Sequence, residues 1–146
     1  MFKKYIYVFI NLCIIIGLVS CAVESAVKEG SLIDWGQTYV EATGMAVAPE
    51  GKTEAQGKAL ARRGAIVDLQ RNMLEFIGGV QIDSRTTMDD FMADDRVRSE
   101  VHGFINRIEI LKGEWDGEAY TVTGRIRTSE LKVFIERVCG VTINIR

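Results

Sequence analysis

Histidine occurs once, at position 102, and that scarcity removes more chemistry than any other feature of this 146-residue chain. A nucleophile–histidine–acid triad would have to pass through His102, yet no serine stands in a G-x-S-x-G elbow that would present a nucleophile. Cysteine is nearly as scarce. Cys13, Cys21 and Cys139 form no C-x-x-C pair and are not spread through the chain as a disulfide framework would be, which excludes structural zinc and argues against a stapled secreted domain. Positive charge is short as well: 18 basic residues stand against 20 acidic, for a net −2. A weakly acidic chain has no electrostatic reason to seek a phosphate backbone, so nucleic acid is not an expected partner. No apolar run reaches the ~20 residues of a membrane-spanning helix. Internal repeats and low-complexity tracts are absent too.

What is present begins with a leader. Lys3 and Lys4 give a positive start, Tyr5 to Val19 is apolar apart from Asn11 and Gly17, and Leu18-Val19-Ser20-Cys21 closes it. That order of charge, short apolar core and small residues is the grammar of a signal peptide over 1–20. The following AVESAVKEGS is small and polar, suited to a flexible tether over 21–34 rather than to a packed domain. An uncleaved anchor or an ordinary secretory leader is the plainer alternative.

The folded part, 35–146, reads as α+β: a single mixed sheet with a long helix packed on one face, plus a C-terminal helix and strand. TYVEATGMAVAP carries a strand through Tyr39, Val40, Met45 and Val47, softened at Gly44 and broken at Pro49-Glu50-Gly51. Thr53 and Gln56 predict a capping box. The helix after it has an apolar stripe of Ala55, Ala59, Ile66, Leu69, Met73, Phe76 and Ile77, with Asp68, Arg71, Asn72 and Glu75 on the wet side, and Gly78-Gly79 as a left-handed stop. Small Ala59, Ala61 and Gly64 allow the helix to lie close to a sheet. VQIDSRTTM predicts a second strand, 101–111 a third and 118–126 a fourth. To bring Ile108 and Ile110 opposite Tyr120, Val122, Gly124 and Ile126, even positions must oppose even ones, which predicts a three-residue loop with Gly117 left-handed. Thr128 or Ser129 caps a helix through Leu131, Phe134, Ile135 and Val138; Gly140 ends it, and Val141, Ile143 and Ile145 alternate in a last strand.

Candidate chemistry is thin. His102 falls in or beside the third strand, without identifiable partners for a general base. Asp89, Asp90, Asp94 and Asp95 lack the spacing of a calcium loop and read as a solvated face near a helix start, where Asp90 and Asp94 would share one side. Arg62-Arg63 reads as a solvated edge, Trp35 as a core plug ahead of an interface anchor, and Cys139 as a small buried apolar residue. No catalytic residue, cofactor or metal site is expected.

Two resemblances add to this. Leu18-Val19-Ser20-Cys21 resembles the lipobox of bacterial lipoproteins. It implies diacylglycerol on the Cys21 thiol, cleavage before it, and, with Ala22 rather than aspartate following, sorting to the outer membrane. From Tyr39 to Ile126, Ala61-Arg62-Arg63, Arg71-Asn72-Met73-Leu74-Glu75, Gly79-Val80, Asp83-Ser84 with Thr86-Thr87, and Val101 to Ile105 resemble the lipoprotein 20 family of small bacterial envelope lipoproteins, which includes flagellar outer-membrane relatives. The resemblance implies a strand–helix–strand–strand core, no catalytic residues, no cofactor, and a structural role with a homo-oligomer or an envelope or flagellar protein as partner, lipid-anchored through Cys21. The alternative is a periplasmic lipoprotein that binds a small ligand.

Overall fold

Thr53 and Gln56 start the longest helix as their spacing predicts. Gln56 N–H donates to Thr53 Oγ1 and Thr53 N–H to Gln56 Oε1, both at 3.4 Å, so two otherwise unpaired helix-end donors are satisfied. The computed structural model describes residues 33–143; the leader, Cys21 and most of the tether lie outside the described residues. In chain order the elements are β1 (Tyr39–Val47), α1 (Glu54–Gly78), α2 (Met88–Phe91), α3 (Asp95–Ile105), β2 (Glu109–Trp115), β3 (Ala119–Arg127) and α4 (Thr128–Cys139).

The fold is α+β, but the sheet is antiparallel rather than mixed, with order β1-β3-β2. β1 and β2 run the same way and are linked through the helices. The β2–β3 hairpin folds back and lays β3 between them, so each hydrogen-bonded pair becomes antiparallel. Successive strand residues point to opposite faces. Gly44, Ala46, Val122 and Gly124 meet α1, leaving Thr43, Met45, Thr121 and Thr123 on a sheet face that no helix covers among the described residues.

The helix stripe differs from the expected one. α1 buries Gly57, Ala61, Ala65, Leu69, Met73 and Ile77, whereas Ala55 and Ala59 are exposed. The reason is distance. A β-carbon on Gly44 would lie 2.6 Å from Leu69 Cα and closer still to Leu69 N and Ala65 O, so helix and strand touch backbone to backbone. The smallest residues line that seam, and hydrophobicity alone does not find them. Leu69 then fills the gap over Gly124, and the stripe widens toward Met73 and Ile77, where α2, α3 and α4 close the larger core.

Gly79 ends α1 with φ −75°, so the expected left-handed stop is not used. Gly78 is small for another reason: a β-carbon there would run into the Asp89 carboxyl, with Cγ at 2.9 Å. The second strand is also absent. Asp83 Oδ1 accepts the N–H groups of Arg85 (2.8 Å) and Thr86 (3.0 Å), turning the segment on itself and leaving a lone Gln81–Thr87 bridge. Positions 101–105 are helix rather than strand, because Val97, Val101 and Ile105 recur every four residues toward the core. No side chain caps α4; its Thr128 N–H instead donates to Thr38 O at 3.1 Å. Gly140 does take the left-handed conformation, at φ 68°. The final strand is not formed at 141–143: Ile143 turns back into the core and gives its N–H to Glu136 Oε1 at 2.8 Å. Residues 144–146 lie outside the described residues.

In the hairpin Gly117 has φ +106°, as expected, but the expected three-residue loop is not formed: Asp116 N–H donates to Ala119 O at 3.2 Å, which leaves the two residues Gly117 and Glu118 between the paired positions. Asp116 Oδ1 accepts from Glu118 N (2.9 Å) and Ala119 N (2.7 Å), and these bonds hold its carboxyl below the ordinary range. The loop does not set the parity, however. Trp115 faces Tyr120, odd against even, until a bulge between Ile110 and Lys112 absorbs Leu111 and puts Ile110 opposite Gly124. The expected register at Ile110 is reached by the bulge rather than the turn.

Candidate functional site

The aspartates expected as a solvated acidic face are helix-end fittings. Asp94 is the N-cap of α3 and accepts from Arg96 N at 2.8 Å. Asp90 accepts from Thr87 N at 2.7 Å, and Asp95 pairs with Arg98 at 2.9 Å. Asp90 and Asp94 do not share a helix face, because the chain breaks between α2 and α3. No group of three or more His, Cys, Asp or Glu is placed to hold a metal ion among the described residues.

His102 sits in the last turn of α3, exposed, where the sequence suggested a strand. It lines an open cleft of about 390 Å³ with Leu74, Glu75, Asp89, Met92 and Arg98, and its imidazole makes no hydrogen bond within the described residues. A second open cleft of about 440 Å³ lies between Ile33, Asp34, Tyr39, Glu41 and Phe76. Trp35 is half-buried against the main core, and Arg62 and Arg63 are exposed on α1.

Two groupings were not visible in the sequence. Arg125 lies 4.0 Å over the Tyr39 ring and binds Glu109 at 2.8 Å; that bond holds the Glu109 carboxyl below its ordinary range. Arg127 reaches Glu130 at 3.8 Å and Arg137 reaches Glu100 at 3.7 Å, so this surface is largely neutralised. The second grouping concerns the sheet edges. Asp68 Oδ2 accepts the Met45 N–H at 2.9 Å, and Asn72 Nδ2 donates to Thr43 O at 2.8 Å. Both side chains, expected on the wet side of α1, plug the middle of the outer edge of β1. The outer edge of β2 has no such cover among the described residues: six of its seven residues are exposed, Ile110 and Leu111 at 45% and 41%.

Cys139 is half-buried, with Sγ 3.4 Å from Met88 Sδ, and desolvation pushes its thiol up to about 11. Iodoacetamide at pH 8 should therefore modify Cys139 about a hundredfold more slowly in the folded chain than in the unfolded one, read by peptide mass mapping. The neutral thiol's contribution to stability is present below the ordinary value of 9.0 and is lost as pH rises through about 11. Equal rates in both states would show that the thiol is open to water.

No family model, curated protein or solved structure matches the chain. No helix among the described residues is long and apolar enough to cross a membrane.

Proposed function

We propose that this is a non-enzymatic lipoprotein, anchored to the bacterial outer membrane through acylated Cys21, that acts as a structural or assembly component of the cell envelope. The observation that carries this reading is the leader: a lysine start, a short apolar core and Leu18-Val19-Ser20 before Cys21, followed by a polar tether. One acyl chain anchors only marginally, while two or more, at ~0.8 kcal/mol per buried CH₂, anchor stably. Anchoring confines copies to a plane, so weak contacts suffice for assembly. A flagellar disk or ring as the setting is an analogy drawn from the residues that resemble the lipoprotein 20 family, and no family model matches the chain.

Fractionating outer membranes and flagellar basal bodies from cells making a tagged chain tests this. The full chain should incorporate a fatty-acid label and sediment with outer membranes; Cys21→Ala should lose both. Enrichment in basal bodies would fix the flagellar setting, and its absence there would leave a general envelope role. A Cys21→Ala chain that keeps label and location would sink the anchor.

A second reading, a small-ligand-binding lipoprotein, draws on the two clefts, whose volumes lie within the range of small-molecule sites. A reproducible thermal shift with an envelope metabolite would favour it; a flat screen would remove it.

A further inference from the structure

The two edges of the sheet are chemically unequal, and the open one is self-complementary. Alternation along an antiparallel ladder decides which main-chain groups face outward. Asp116 N–H bonds Ala119 O at 3.2 Å, so Glu114 and Lys112 also turn their main-chain groups toward β3, and Trp115 and Gly113 turn theirs away. We propose that β2 pairs with β2 of a second copy, antiparallel, about a two-fold axis through Gly113. The pairing names the assembly contact of the function proposed above and rests on that reading.

The register follows from the residues. With Gly113 opposite Gly113 of the second copy, the outward groups at 113 meet each other, and Leu111, the bulged residue, falls opposite Trp115. Lys112 falls opposite Glu114 and Glu114 opposite Lys112, on the sheet face that α1 leaves uncovered. Within one copy these two side chains already form a 2.7 Å ion pair, so the dimer would hold a ring of four alternating charges. Exposed Leu111 is set beside Trp115 of the other copy, whose ring leans on its own Tyr120 at 6.4 Å between centroids. An axis through Lys112 would instead set lysine against lysine, which disfavours that register. Glycine at the axis also leaves the two-fold free of side chains: Tyr120 Oη stands 2.8 Å from where a Gly113 β-carbon would be, covering that position from the same copy. An isologous contact of this kind yields a dimer with one continuous sheet. The strands are short, so the contact is weak in solution and relies on confinement in the membrane plane.

A charge-reversal cycle on the full chain in detergent micelles, followed by sedimentation equilibrium, tests the register. Lys112→Glu and Glu114→Lys should each weaken dimerisation by about tenfold or more, because each sets like charges opposite one another. The double variant K112E/E114K should regain the parental dissociation constant. Co-expressed K112C and E114C chains should form a disulfide with each other that neither forms alone, since directly opposed strand positions lie within bonding reach. Single reversals without effect, or a double variant that stays weak, would overturn the pairing. Acylation and membrane location are read separately. An anchored chain that assembles regardless of these charges removes the β2 contact and leaves the envelope reading standing. A dimer that obeys the charge cycle in an unacylated chain does the reverse.

Discussion

Gly44→Val should leave little folded protein, and Gly44→Ala should cost about 3 kcal/mol, the upper end of the usual penalty for over-packing a core. The expectation rests on what the new β-carbon would meet: Leu69 N, Leu69 Cα and Ala65 O, all main-chain atoms of α1. A helix backbone cannot turn aside as a side-chain tip can. To admit one methyl group α1 has to lift from β1, which also stretches the Asp68–Met45 and Asn72–Thr43 hydrogen bonds. Gly78 shows the contrast. A β-carbon there meets the Asp89 carboxyl and the Met92 methyl, both ends of flexible side chains, and alanine at this last helical residue is favoured over glycine by a part of the ~1 kcal/mol that separates them in a helix interior. Urea unfolding of the Gly44 variants, read by far-ultraviolet circular dichroism, decides the matter. A loss below about 1 kcal/mol in Gly44→Ala would mean that the seam between α1 and β1 has slack.

Leu69→Ala should destabilise the fold by about 3–5 kcal/mol, the range for deleting a fully buried leucine where the surroundings cannot collapse. Leu69 is completely buried, with Ala65 and Val122 in the smaller core, and its Cδ2 would stand 2.8 Å from a β-carbon on Gly124. Its side chain shares the space over Gly124 with Ile108, while its backbone lies on Gly44. Exposed Val67, two residues away and 64% accessible, should tolerate the same substitution with a change within about 0.5 kcal/mol. If both alanine variants melted alike in urea, the assignment of the smaller core would be wrong.

These two positions also show how far the sequence could be read. The α+β class, the capped long helix, β1, β3 and the positive φ at Gly117 all follow from local signals: periodicity, a Thr-x-x-Gln box and turn glycine. What escaped was set by contact between distant segments. The close seam was legible at Ala61 and Gly64, where Ala46 Cβ lies 2.7 Å from a Gly64 β-carbon position, but Gly57 and Ala65 were missed, because the strand residues beneath them, Ala48 and Gly44, appear on no helical wheel. Asp68 and Asn72 look like solvated polar residues until β1 is laid beside them. Residues 101–105 contain alternating apolar positions as well as a four-residue repeat with Val97, and burial on α1 settles the ambiguity in favour of helix. The 80–87 segment has strand-like residues, but Asp83 offers its own carboxylate to the backbone, and that local turn wins. Parity along the hairpin was sound as logic and failed as mechanism, because one inserted residue at Leu111 does what the turn was expected to do. The proposed lipid anchor is the opposite case, a proposal from sequence alone, since Cys21 lies outside the described residues.

The plug that Asp68 and Asn72 place on β1 limits how copies of this protein can be joined. In polymer terms the unit has one open end and one end blocked at its middle. Such units couple through β2 and are hindered at β1, so strand pairing through β2 gives two copies and is discouraged from growing into a fibre. A ring or disk of many copies would therefore have to be knitted through side-chain surfaces such as the Tyr39–Arg125–Glu109 face, with the paired sheet as its repeating block rather than its growing tip.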